Sequence, residues 1–217
     1  MLRTIATRTI VAAVMLLMSV TAWSQELSAE MASYAAICLK ARNAVQQRDS
    51  SAVGETITLY DEFFMRHAVA NLDITGGESE ELLAGHLQFE PAFLDTLLTR
   101  GLDLSVMPAE RMGSGERGPA TMSPSLYCAD RVVPARSKQT YRMTGTGHME
   151  LCVVAERQQS IFVTASCDGG MAETGSHCAR SDDGVAACTW DMTEAGEISI
   201  TIENPSDEDL SCLIITN

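Results

Sequence analysis

The sequence predicts an α+β protein, a helical hairpin region followed by an antiparallel β-sandwich. Three observations predict it. Before about residue 100, apolar residues recur at steps of three and four. After about residue 125, the chain turns into short β-rich segments with turn-prone residues between most of them. Between the two lies SVMPAERMGSGERGPATMSP, rich in Gly, Pro, Ser and Met and without a period. The expected organisation is a signal peptide over 1–24, a helical region over 25–104, a linker over 105–124 and a β-sandwich domain over 125–217.

The first residues set the expected compartment. Arg3 and Arg8 precede an apolar run from Ile10 to Val20, and Ala22-Trp23-Ser24 places small residues where a signal peptidase reads. This pattern predicts cleavage before Gln25 and a periplasmic or secreted protein. The run is short of the about 20 residues a membrane span needs, and no later stretch is apolar enough, so no integral membrane segment is expected after cleavage. The chain carries a net charge of −14 at pH 7, and removing the leader takes away two arginines and no acids. Such a surface disfavours nucleic acid and anionic membranes, whose phosphates need Lys and Arg; it most simply serves solubility, with a basic or cationic partner as the charge-matched alternative.

The helical region begins with a stripe of Leu27, Met31, Tyr34, Cys38, Ala41 and Val45. Cys38 sits inside the stripe as a small hydrophobe and is the candidate unpaired thiol among seven cysteines, an odd number. QQRDSS interrupts, with Asp49 or Ser50 placed to cap a second helix whose stripe is Val53, Ile57, Tyr60 and Phe64. So short a connection predicts an antiparallel pair. Gly76-Gly77 marks a break; Glu78, Glu80 and Glu81 form a charge run; His86 and Gln88 alternate with Leu87 and Phe89 as a short extended segment. Pro91 fits the first turn of another helix, which Gly101 can cap.

Seven strands are expected after the linker: YCADRVV, TYRMTG, MELCVVAE, SIFVTASC, ACTWDM, EISITIEN and DLSCLIITN. Ile198, Ile200 and Ile202 alternate with Glu197, Ser199 and Thr201, giving one apolar and one polar face. Trp190 is placed in the core. QTYRMTG, MELCVVAE and GEISITIENPSDEDLSCLIITN together resemble the pre-peptidase C-terminal domain, an accessory module of secreted enzymes, over roughly residues 125–217. The resemblance implies a jelly-roll-like plan and supplies no catalytic residues. The whole chain is also similar in plan to small exported proteins of Gram-negative bacteria.

CDGGMAETGSHCARSDDGVAAC, residues 167–188, concentrates the chemistry. Zinc ligation by Cys167, Cys178, Cys188 and His177 is disfavoured, because structural zinc sites use cysteines two to four residues apart and these gaps are longer. Asp168 and Asp182-Asp183-Gly184 lack the regular ligand alternation of a calcium loop. A disulfide-stapled loop is expected instead. Cys128, Cys152, Cys167, Cys178, Cys188 and Cys212 are the disulfide candidates, with the pairing open among 15 connectivities. Asp168, His177, Asp182 and Asp183 form a candidate contact loop. No catalytic, cofactor or metal residues are expected. Ser114 lacks a nucleophile elbow, no nucleotide-binding glycine motif occurs, and a Cys–His nucleophile would need His67, His86, His148 or His177 to meet a cysteine. The function expected is an exported, non-catalytic binding or envelope-associated protein whose partner is a protein, peptide or glycan. The alternative is an exported hydrolase with an unrecognised site.

Overall fold

The computed structural model describes residues 27–77, 91–102, 122–168 and 177–217, the side chains of Ala92, Asp168 and 177–180 excepted. The fold is mixed α+β, with helices packed on one face of a mixed sheet. The expected leader, the segment with Glu78 to Phe89, most of the expected linker and the tip of the cysteine loop lie outside the described residues.

Helix α1 (Ala29–Gln47) starts at Ser28, whose hydroxyl accepts from Met31 N, and ends at Arg48 in the left-handed region. Helix α2 (Ser50–Phe64) starts at Asp49, whose carboxylate accepts from Ser51 N and Ala52 N. Each cap satisfies backbone donors that a helix end leaves without partners. The two helices run antiparallel: Tyr34 rings against Tyr60 and Phe63, while Lys40 pairs with Glu55 further along. The whole first stripe is buried. In α2 the buried face is turned from the expected one, with Thr56 and Phe63 fully or nearly covered and Ile57 and Phe64 only half so. Helix α3 (Pro91–Thr99) adds Leu94 and Leu97 to the same core. No described helix is long and apolar enough to cross a membrane.

The strands are β1 (Val69–Asn71), β2 (Thr75–Gly76), β3 (Leu126–Val133), β4 (Ser137–Ala155), β5 (Ile161–Asp168), β6 (His177–Ser181), β7 (Val185–Asn204) and β8 (Leu210–Thr216). They form one sheet in the order β1-β3-β8-β4-β7-β5-β6, with β2 on the far edge of β4. Only β1 against β3 is parallel among the described pairs. Three differences from the sequence expectation matter. TYRMTG and MELCVVAE are one 19-residue strand, and ACTWDM and EISITIEN are one of 20. The helical region donates two strands of its own. The cysteine loop contains a strand, β6, where a stapled loop was expected.

TGTG and TEAG read as turns but form a bend instead. The β4–β7 register slips between Gly145 and Gly147, where β7 spends more residues than β4, and such a bulge bends a strand pair. The bend folds the sheet over its own interior. Cys167 stands beside Ile198 by register, yet its Sγ lies 3.8 Å from Met192 Sδ. On a straight strand those β7 positions would be about 20 Å apart at 3.3 Å per residue. A Cβ on Gly145 would come within 2.5 Å of Ile198 Cδ1, so a side chain there would have to push Ile198 and Met149 aside on the inside of this bend.

The bend divides the sheet into a covered half and an open half. The covered half comprises β1, β3, β8, the end of β4 after Gly147 and the start of β7. Its outer face carries Leu126, Cys128, Cys152, Val154, Val185, Leu213 and Ile215, all packed in one core with the helices. A second core lies inside the bend. There Leu151, Val153, Trp190, Cys212 and Ile214 from the covered half meet Tyr141, Ile161, Val163, Ile198, Ile200 and Ile202 from the open half.

Candidate functional site

Two polar ties fix α1 along β4. At one end Glu150, 4% exposed, accepts from Ser28 N at 2.9 Å and Ser28 Oγ at 2.7 Å. At the other end Arg42, also 4% exposed, donates from Nη1 to Ala155 O at 3.4 Å and Asp183 O at 2.8 Å. Burial lowers the Arg42 pKa, and the neighbouring Asp183 charge works against that shift. Its Nε has no hydrogen-bond partner among the described residues. His148 joins the Glu150 corner: its Nδ1 lies 2.8 Å from Asp191 Oδ1 and its Nε2 3.7 Å from Glu150 Oε1. Ser28, Glu150, His148 and Asp191 superficially suggest a hydrolytic relay. The serine, however, donates to Glu150 and caps α1, so the geometry is that of a clamp.

The expected contact loop separates in the structure. His177 pairs with Ala165, while Ser181, one residue before Asp182, pairs with Ile161 at the other end of β5. Asp182 is exposed and accepts from Ser160 Oγ at 2.9 Å. Asp183 shapes the turn into β7 by accepting from Ser181 Oγ and Val185 N. The side chains of Asp168, His177 and Cys178 lie outside the described residues.

The cysteines divide between the two cores. Cys38, Cys128 and Cys152 face the helix core; Cys188 and Cys212 face the inner core, against which half-buried Cys167 packs. Cys38 accepts from Tyr60 Oη at 3.4 Å. The six described cysteines form no disulfide in the structure. A Cys167–Cys188 bridge, one of the pairings the sequence left open, is not formed, because register sets Cys167 opposite Ile198 and Cys188 opposite Leu151, on either side of the bend. A disulfide needs Cα atoms within about 7 Å. Burial pushes the Cys212 thiol up to about 12, with Asp130 adding to the shift, and pushes Cys152 up further. Neither is a poised nucleophile. Among the described residues no group of three or more His, Cys, Asp and Glu side chains is placed to hold a metal.

What remains for recognition is the outer face of the open half, which no described element covers with an apolar layer. Lys138, Thr140, Arg142 and Thr144 of β4, Glu197, Ser199, Thr201 and Glu203 of β7, and Phe162, Thr164 and Ser166 of β5 are all exposed or half-buried. Cross-strand ties hold them: Lys138 to Glu203 at 2.6 Å, Thr140 to Thr201 at 3.0 Å and Arg142 to Glu197 at 3.7 Å. At the bend this face ends in an acidic rim of Asp191, Glu194 and Glu197. The sequence signal for the face was the Ile/Thr/Ser alternation in β7; its continuation across β4 and β5 is set by register.

No family model and no curated protein matches the chain. Among solved structures it is similar to PliG of Aeromonas hydrophila, a periplasmic lysozyme inhibitor of g-type lysozyme. That match has 9% identity and a TM-score of 0.32 over 42% of this chain and 84% of that one. It is similar to the Yersinia pseudotuberculosis-derived mitogen at 12% identity and a TM-score of 0.32, over 44% of this chain and 86% of that one.

Proposed function

We propose that the chain is an exported, non-catalytic binding or envelope-associated protein that recognises a cationic protein or peptide through the open half of its sheet. The observation that carries this reading is the polar outer face with its acidic rim, held by cross-strand ties on a sheet whose other half is buried on both sides. Groups already ordered lose little freedom on binding, and a rim of three acids, Asp191, Glu194 and Glu197, set against the single guanidinium of Arg142 and the His148 imidazole favours a positively charged partner. A glycan is the other partner class that the hydroxyls of this face suit. In this proposal the sheet is a β-sandwich of jelly-roll-like plan, a reading supported by the apolar core enclosed between its two halves.

The test immobilises the mature protein and passes over it a basic globular protein, an acidic one and neutral oligosaccharides, at low and physiological salt. Saturable, salt-sensitive binding of the basic protein, lost in the triple variant Asp191→Asn, Glu194→Gln, Glu197→Gln, supports the reading. Binding by none of the three, or binding that the triple variant leaves unchanged, sinks it. Turnover of a bound ligand would favour the hydrolase instead.

A further inference from the structure

The inside of the bend gathers sulfur. Cys167 Sγ lies 3.8 Å from Met192 Sδ, and Cys167 is half-buried where Met192 is 5% exposed. By register Cys167, Ile198 and Met143 form one row across β5, β7 and β4. Met149 reaches the same row from across the bend. A Cβ on Gly145 would come within 2.9 Å of Met149 Sδ and 2.5 Å of Ile198 Cδ1, so that thioether fills the space the glycine leaves beside Ile198. One thiol and one thioether thus meet where the inner core opens towards solvent through Cys167, with the Met149 thioether beside Gly145 in the same core. Thiols and thioethers in an apolar surround are a soft donor set, and soft sulfur donors select monovalent copper over hard cations or borderline metals.

We infer that Cys167 and Met192 form a binding site for a soft monovalent metal ion, Cu(I) or its analogue Ag(I), with Met149 of the same core as the candidate third donor. Binding breaks the Cys167 S–H bond, forms an S–metal bond and releases one proton. The metal arrives as the monovalent ion, so nothing is oxidised or reduced. The site is independent of the open-face reading, because its sulfurs point into the bend and the recognition residues point out of it.

The test titrates the reduced mature protein, without oxygen, against Cu(I) held by the chromogenic chelator bicinchoninate. The wild type is expected to withdraw about one Cu(I) per chain. Cys167→Ser should abolish this, and Met192→Leu, which keeps the volume, should weaken it by about tenfold or more. Cys188→Ser, at the far end of the same core, should leave it intact. A wild type that withdraws no copper overturns the site, as does retention in Cys167→Ser or equal loss in Cys188→Ser. A readout without variants guards against misfolding. In the native wild type, one equivalent of Ag(I) should slow alkylation of Cys167, and an unchanged rate overturns the proposal.

Discussion

The covered and open halves share two strands and one interior, yet their outer faces differ completely. After the bend, the outer positions of β4 are Glu150, Cys152 and Val154; before it they are Lys138, Thr140, Arg142 and Thr144. The same strand buries one outer face under helices and gives the other to water. Two-sided burial makes the covered half a rigid anchor, since each fully buried aliphatic side chain is worth about 1.5–3 kcal/mol. One-sided burial leaves the open half free to vary its outer chemistry at little cost to stability. The proposed recognition on this face would separate function from folding within a single sheet.

The sharpest way to break the comparison is a pair of truncations. Ile215→Ala on the covered face should cost about 3 kcal/mol in urea unfolding, from lost burial plus a residual cavity. Thr201→Ala on the open face should stay within about 0.5 kcal/mol. Equal losses would mean that something covers the open face too. Next is the bend itself. Gly145→Ala must push Ile198 and Met149 aside and should cost about 2 kcal/mol, as overpacking typically does. A thermal midpoint unchanged from wild type would refute that packing.

The clamp comes third. Glu150→Gln removes the charge that Ser28 donates to and should lose about 1.5 kcal/mol at neutral pH, the usual worth of a hydrogen bond to a charged group. Hydrogen exchange should then rise first in the opening turn of α1. If exchange rises elsewhere, the tie is not what seats the helix.

The smallest effect is absent at neutral pH. The folded pKa of Cys212 lies above its ordinary value, so the stability linked to it is complete below about pH 9 and is lost as pH rises towards 12. The slope per such thiol is about 1.4 kcal/mol per pH unit. At pH 8, native alkylation should label Cys167 and spare Cys152 and Cys212. Fast labelling of the latter two would contradict their burial.

Much of the helical layer was legible because its signals are local. The α1 stripe, the Asp49 cap, Pro91 at the start of α3 and the positive φ of Gly76, Gly77 and Gly101 follow from residue type and spacing. The β-rich segments were legible too, including Trp190 in the core. Their continuity was not. TGTG and TEAG carry the same residues whether the chain turns back or bends onward, and only the paired partner strand distinguishes the two. The candidate site was legible least. Asp182 and Asp183 sit near His177 in sequence, but the antiparallel register of β5 and β6 carries them to opposite ends of a strand.

By itself the sequence determined the composition of each part: an acidic chain, a helical stripe, alternating strands and a half rich in sulfur. These depend on periods of two to four residues, which neighbours along the chain set. The tertiary structure alone decided which outer face is covered, that Glu150 and Arg42 hold α1 to β4, and that Cys167 meets Met192 rather than Cys188. Those pairings join residues far apart in sequence, and the side chains that make them carry no local mark of the partner they will find.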